Sequence, residues 1–184
     1  MKSVLCTGLA AIAATLLIGT TTAFTAPSNA STAPIPPAGN RGGIAGIATL
    51  NTIVNLPNGV WTDTPLEVTL PRPGTYELDA NVRGRLAGTP PLNTSITARL
   101  WNVNSGAEVS QSERYVYQII NQNAGEATAG GNQTAPISEL IRVSRPTTIR
   151  LQARRIDALG AASIAQVYSD SFGYTSLRYE RVGS

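Results

Sequence analysis

The sequence predicts an all-β protein, an antiparallel β-sandwich of jelly-roll type with about nine or ten strands, and three observations carry that prediction. Apolar and polar residues alternate with period two over segment after segment, the pattern of strands that bury one face. Clusters of Pro, Gly, Asn and Ser separate those segments at the spacing expected of a sandwich. No window sustains the apolar stripe of an amphipathic helix.

The chain opens with a segment that reads as an address. Lys2 supplies a short positive region, Val4 to Ile18 is an almost unbroken apolar run, and Ala23 to Ala30 offers small residues for a signal peptidase. The run is shorter than the roughly 20 apolar residues of a membrane span. Residues 1–30 are therefore expected to be a signal peptide, with cleavage after Ala30 favoured over Ala23 or Ala26, and the product to be secreted and extracellular. Of 184 residues, removing 30 leaves 154, enough for one domain with its own core. The single cysteine, Cys6, falls inside this signal, so the mature chain can form no disulfide, and the cysteine stands too early to be lipidated. Residues 31–43, with Pro34, Pro36, Pro37, Gly39, Gly42 and Gly43, read as a flexible leader.

The jelly-roll domain is expected over 44–182. Ile44 to Leu50 and a short segment near Val60 are its first strands. Leu66, Val68 and Leu70 share a face; after the turn Pro71-Arg72-Pro73-Gly74, Tyr76, Leu78, Ala80 and Val82 alternate with Glu77, Asp79, Asn81 and Arg83. Ile96, Ala98 and Leu100 continue the pattern, and Asn104-Ser105-Gly106 turns the chain into Glu108 to Ser112. Arg114 to Ile120 is apolar on both faces, the mark of a central strand. Asn121 to Ala135, made of Asn, Gln, Gly, Ala and Thr, reads as a long exposed loop. Ile137 to Val143, Ile149 to Arg154, Ser163 to Ser169 and Tyr174 to Val182 complete the set, the last two joined by a turn at Asp170 to Gly173.

Composition excludes more chemistry than any motif establishes. The chain has no histidine, so triads with a histidine base and imidazole metal sites cannot be built; without mature cysteine, thiolate sites are absent too. Lys2 is the only lysine, which leaves thirteen arginines against eleven acids, a mature charge of +2. Those arginines are scattered along strands, so no nucleic-acid partner is expected. Arginine without lysine, beside abundant Ala and Gly, points to a biased bacterial genome. Asn93-Thr94-Ser95 and Asn132-Gln133-Thr134 match the glycosylation acceptor pattern, which matters only in a eukaryotic host.

Four aromatics are candidate contacts for a ligand. Trp61, Trp101, Tyr115 and Tyr117 could stack against sugar rings, or could be core or interface residues. Trp101 shares a strand face with Thr97 and Arg99 and should point outward, so Trp101, Arg99 and Trp61 are the chosen binding residues. Asp63, Asp157 and Asp170 read as ordinary loop aspartates, since none sits in a calcium-ligand spacing. No spacing selects a carboxylate pair for glycoside hydrolysis, and neither a catalytic residue, a metal site nor a cofactor is expected.

Three segments resemble the tumour-necrosis-factor-like jelly roll shared with the globular heads of complement. They are Gly74-Thr75-Tyr76-Glu77-Leu78, Leu100-Trp101-Asn102-Val103-Asn104-Ser105-Gly106, and Phe172-Gly173-Tyr174-Thr175-Ser176-Leu177-Arg178-Tyr179. The resemblance implies a homotrimer that works by binding an extracellular protein or glycan and not by catalysis. The residues themselves leave trimer and monomer both open. The alternative to the trimeric module is a monomeric carbohydrate-binding module, with a carboxylate-dependent hydrolase behind it.

Overall fold

The inward residues of the alternating segments meet in one core, and two antiparallel sheets form around it. A computed structural model describes residues 44–184; the predicted signal peptide and leader lie outside the described residues. The strands are β1 (Ala45–Thr49), β2 (Val54–Asn55), β3 (Thr62–Leu70), β4 (Gly74–Gly88), β5 (Leu92–Asn102), β6 (Ala107–Glu108), β7 (Arg114–Asn121), β8 (Ala129–Val143), β9 (Thr147–Leu159), β10 (Ile164–Val167) and β11 (Ser176–Gly183).

The first sheet is organised by β4. One edge of β4 pairs with β8 over its whole length, while the other pairs first with β11 and then with β10, which carry β1 and β2 beyond them. The second sheet runs β3-β9-β5, with β7 and β6 sharing the far edge of β5. Neighbours in both sheets are mostly non-consecutive in the chain, as the crossing connections of a jelly roll require. Tyr76, Leu78, Val82 and Leu86 of β4 join Leu66 and Leu70 of β3, Ile96 and Leu100 of β5, and Ile149 and Leu151 of β9 in the core. Each is fully buried, a gain of about 1.5–3 kcal/mol for a side chain of this size. The Tyr76 hydroxyl donates to the carbonyl of Arg72 at 2.9 Å, so the one polar atom of that ring is satisfied.

Four expectations need correction. The segment near Val60 is not a strand: Val60 is exposed, Pro57 and Gly59 break the chain before it, and the short early strand is β2 instead. Of Glu108 to Ser112 only Glu108 is strand, as the second residue of β6, because the chain turns through Gln111, whose φ of 62° is left-handed. Arg114 to Ile120 is not central. As β7 it is an edge strand paired with β5 alone, and Tyr115 and Ile120 stand 68 % and 61 % exposed. Asn121 to Ala135 is a loop only over 122–128; from Ala129 onward it is β8, in register with β4. Small residues are what that pairing needs, since a side chain at Gly130 would strike Ala87 and one at Gly131 would strike the Tyr117 hydroxyl.

Among the described residues no helix is long and apolar enough to cross a membrane.

Candidate binding face

The outer face of the second sheet collects the three predicted binding residues. Arg99 and Trp101 alternate outward along β5, opposite Gln152 and Arg150 of β9. Trp61 lies just before β3, whose first residue, Thr62, pairs with Ala153, and so it reaches over β9 toward β5. The Arg99 guanidinium sits 3.9 Å from the centre of the Trp61 ring and 4.5 Å from that of Trp101, and Arg154 lies 4.5 Å from Trp61. Guanidinium over indole is an attractive arrangement, strengthened as water is excluded. Two indoles and two guanidiniums thus form one alternating stack.

Hydrogen bonds hold the stack in place. Arg99 Nε donates to Gln152 Oε1 at 2.8 Å, and Gln152 Nε2 donates to Asp63 Oδ1 at 2.7 Å. Arg150 then clamps Asp63 and Glu67 together, at 2.7 and 2.9 Å. Its hydrogen bond to Glu67 is the main reason that Arg150 holds its proton more firmly than an ordinary arginine, with burial opposing and Asp63 adding to the effect. Arg99 also meets Glu108 at 3.3 Å, and Arg154 meets Glu113 at 2.9 Å. The result is a preorganised polar and aromatic surface.

The other two aromatics of the proposed platform stay out of the stack. Tyr117 turns partly inward against the core, while Tyr115, in register with Thr97, stands exposed on the same outer face along β7. The three aspartates are held by protein groups, and two of them lie in strands, not loops. Asp63 is in β3; Asp157, in β9, accepts from Thr94 at 2.6 Å and meets Arg155; Asp170 occupies its turn and meets Arg83 at 3.0 Å. Eight of the eleven acids pair with arginine in this way. Glu126 is bound by Asn121 and then Asn123, which lower its pKa, and only Glu77 and Glu180 remain, directly opposed on β4 and β11. Among the described residues, no group of three His, Cys, Asp or Glu side chains could hold a metal ion.

Gln152, Arg154 and Glu108 join the site without a motif of their own to mark them. Arg150, Gln152 and Arg154 alternate against Ile149, Leu151 and Ala153, which places them outward, but their nearness to Trp101 depends on the β5–β9 register.

The architecture defines an all-β jelly-roll sandwich with an ordered outer face. No family model and no curated protein matches the sequence. In fold, the chain is similar to a solved structure of infectious bursal disease virus, Gt strain (15 % identity, TM-score 0.46), over 77 % of this chain and 33 % of that one. The VP2 subviral particle of the same virus gives 14 % identity and a TM-score of 0.45, with the same coverage. This chain therefore spans about a third of the length of those viral chains. It is also similar to the Eiger TNF of S. frugiperda, at 11 % identity and a TM-score of 0.42, over 76 % of this chain and 92 % of that one.

Proposed function

We propose that this protein is a secreted, non-enzymatic binding or structural module that assembles as a homotrimer and turns the Trp61–Arg99–Trp101 face toward an extracellular partner. The observation that carries the reading is the placement of exposed apolar side chains on two different surfaces. Tyr115 and Ile120 project from the outer face of the second sheet at its β7 edge, across β5 from Trp61, whereas Ile47 and Leu140 stand on the outer face of the first sheet, 66 % and 68 % exposed. Two unlike patches suit a head-to-tail contact, which closes into a ring when the rotation allows, and a threefold ring covers both patches on every subunit. Glu77 and Glu180 lie beside Leu140, where hydroxyl donors such as that of Tyr115 would satisfy them.

Light scattering on the mature protein tests this directly. A mass of three chains is expected, falling to one chain in Leu140→Glu and in Tyr115→Glu; a single-chain mass for the parent overturns the trimer. A second reading, a monomeric carbohydrate-binding module, draws on the outward placement of Trp101. Each indole already stacks on at least one guanidinium, which leaves less aromatic face for a sugar. Polysaccharide pull-down with Trp101→Ala separates the two readings: a monomeric parent that binds and a variant that does not favour the sugar module.

A further inference from the structure

The far half of the first sheet's outer face carries a second arrangement, distinct from the tryptophan face. Of the arginines on β4, β5 and β9, Arg83, Arg99, Arg150, Arg154 and Arg155 each meet a carboxylate; Arg85 meets none among the described residues. Its guanidinium lies 4.2 Å from the centre of the buried Tyr168 ring. That ring is itself fixed, because its hydroxyl accepts a hydrogen bond from Arg83 at 3.2 Å. Burial is the largest single influence on Arg83 and opposes its charge, but Tyr168 and then Asp170 together outweigh it, so Arg83 holds its proton more firmly than an ordinary arginine. Arg85 is thus a partly buried cation resting on an aromatic support, with donors left to give.

Its neighbours in register extend the arrangement across four strands. Asn132 of β8 stands opposite Arg85 on one side and Gln166 of β10 on the other, and Gln166 donates to Asn55 of β2 at 2.9 Å. Side chains paired across antiparallel strands share a face, so Asn132, Arg85, Gln166 and Asn55 form one row at the strand spacing of about 4.8 Å. That spacing is close to the length of one pyranose unit. Beside the row, Gly130, Ala87 and Ile164 make a shallow apolar lane, and Ile164 is 38 % exposed. The row stands six residues along β4 from Asp79, or about 20 Å from the Ile47–Leu140 patch.

We propose that this row is a binding site for an acidic saccharide, with Arg85 receiving the sugar carboxylate through its planar fork, the amides of Asn132, Gln166 and Asn55 meeting ring hydroxyls, and the apolar lane receiving a ring face. An arginine fork matches a carboxylate with two parallel hydrogen bonds, which a lysine cannot reproduce. The site requires neither the trimer nor the tryptophan face.

Calorimetry with oligogalacturonate, at near-physiological salt and on the full mature chain, tests the proposal. Neutral galacto-oligosaccharide and dextran sulfate serve as the comparison probes. The expected result is binding to oligogalacturonate over both others, weakened at least about tenfold by Arg85→Gln and only partly restored by Arg85→Lys. Arg142→Gln, on the same face but off the row, should leave affinity unchanged, and unaltered melting of Arg85→Gln would show that the fold is intact. Three outcomes overturn the site: no binding to oligogalacturonate, equal or tighter binding to dextran sulfate, or equal losses in Arg85→Gln and Arg142→Gln, which would reduce the effect to net charge.

Discussion

Replacing Arg99 with alanine should destabilise the domain by about 3 kcal/mol, an unusual cost for a residue on the outside of a sheet. The side chain is only 15 % exposed, and it lies between two indoles, each contact contributing about 0.5–1 kcal/mol and more where water is excluded. Its loss also strands the buried Gln152 amide oxygen, at roughly 1–3 kcal/mol. The ion pair with Glu108 adds little, since that carboxylate is 30 % exposed and screened. For a domain of this size the sum corresponds to a midpoint lowered by about 10 °C. Trp61 and Trp101 are the chain's only tryptophans, so urea unfolding followed by tryptophan fluorescence reads the stack itself. Arg99→Lys, which keeps the charge and loses the fork, should recover about half of the loss. A change under about 0.5 kcal/mol for Arg99→Ala, or a Trp61→Ala/Arg99→Ala cycle with no coupling, would refute the view that the stack acts as a unit.

Other perturbations have equally definite outcomes. Thr175→Val removes a buried hydroxyl that accepts from the Arg83 amide at 3.0 Å and donates to the Tyr168 carbonyl at 2.7 Å, and should cost about 2–4 kcal/mol in chemical denaturation. Gly160→Ala meets the Pro91 carbonyl at a φ of 66°, so a loss of at least about 2 kcal/mol is expected, and a neutral result would contradict the turn geometry. Glu180→Lys turns the opposed Glu77–Glu180 pair into an attractive one and should raise stability by about 0.5 kcal/mol in chemical denaturation. With no histidine, melting midpoints should stay within about 5 °C, on the order of 1 kcal/mol, from about pH 6 to 8. At lower pH the sign follows from Glu126: its pKa is depressed by Asn121 and Asn123, so its contribution is present above the ordinary carboxylate value and fades as pH falls through the depressed one. Because Glu126 is exposed, that loss should appear as faster amide exchange in 121–126 and not as a shifted midpoint.

Alternation made the buried faces of β3, β4, β5 and β9 legible, because one-sided burial leaves a period-two record in each of those strands. It could not reveal pairing that rests on the backbone. Gly130, Gly131 and Asn132 carry no apolar signal, yet β4 pairs with them residue by residue, and their smallness, which reads as loop, is what lets Ala87 and the Tyr117 hydroxyl approach. The same limit divides the candidate site. Arg99 and Trp101 share a face by spacing alone, while Trp61 lies outside any strand and is brought to them by the β3–β9 register. β7 shows the converse. Apolar residues on both faces read as a central strand because such residues are normally covered, but nothing in this chain covers Tyr115 and Ile120 among the described residues. An edge strand with an uncovered apolar row is a liability for a secreted monomer, prone to pairing with other chains. Its composition makes sense if another subunit covers Tyr115 and Ile120, as one half of the proposed head-to-tail contact would.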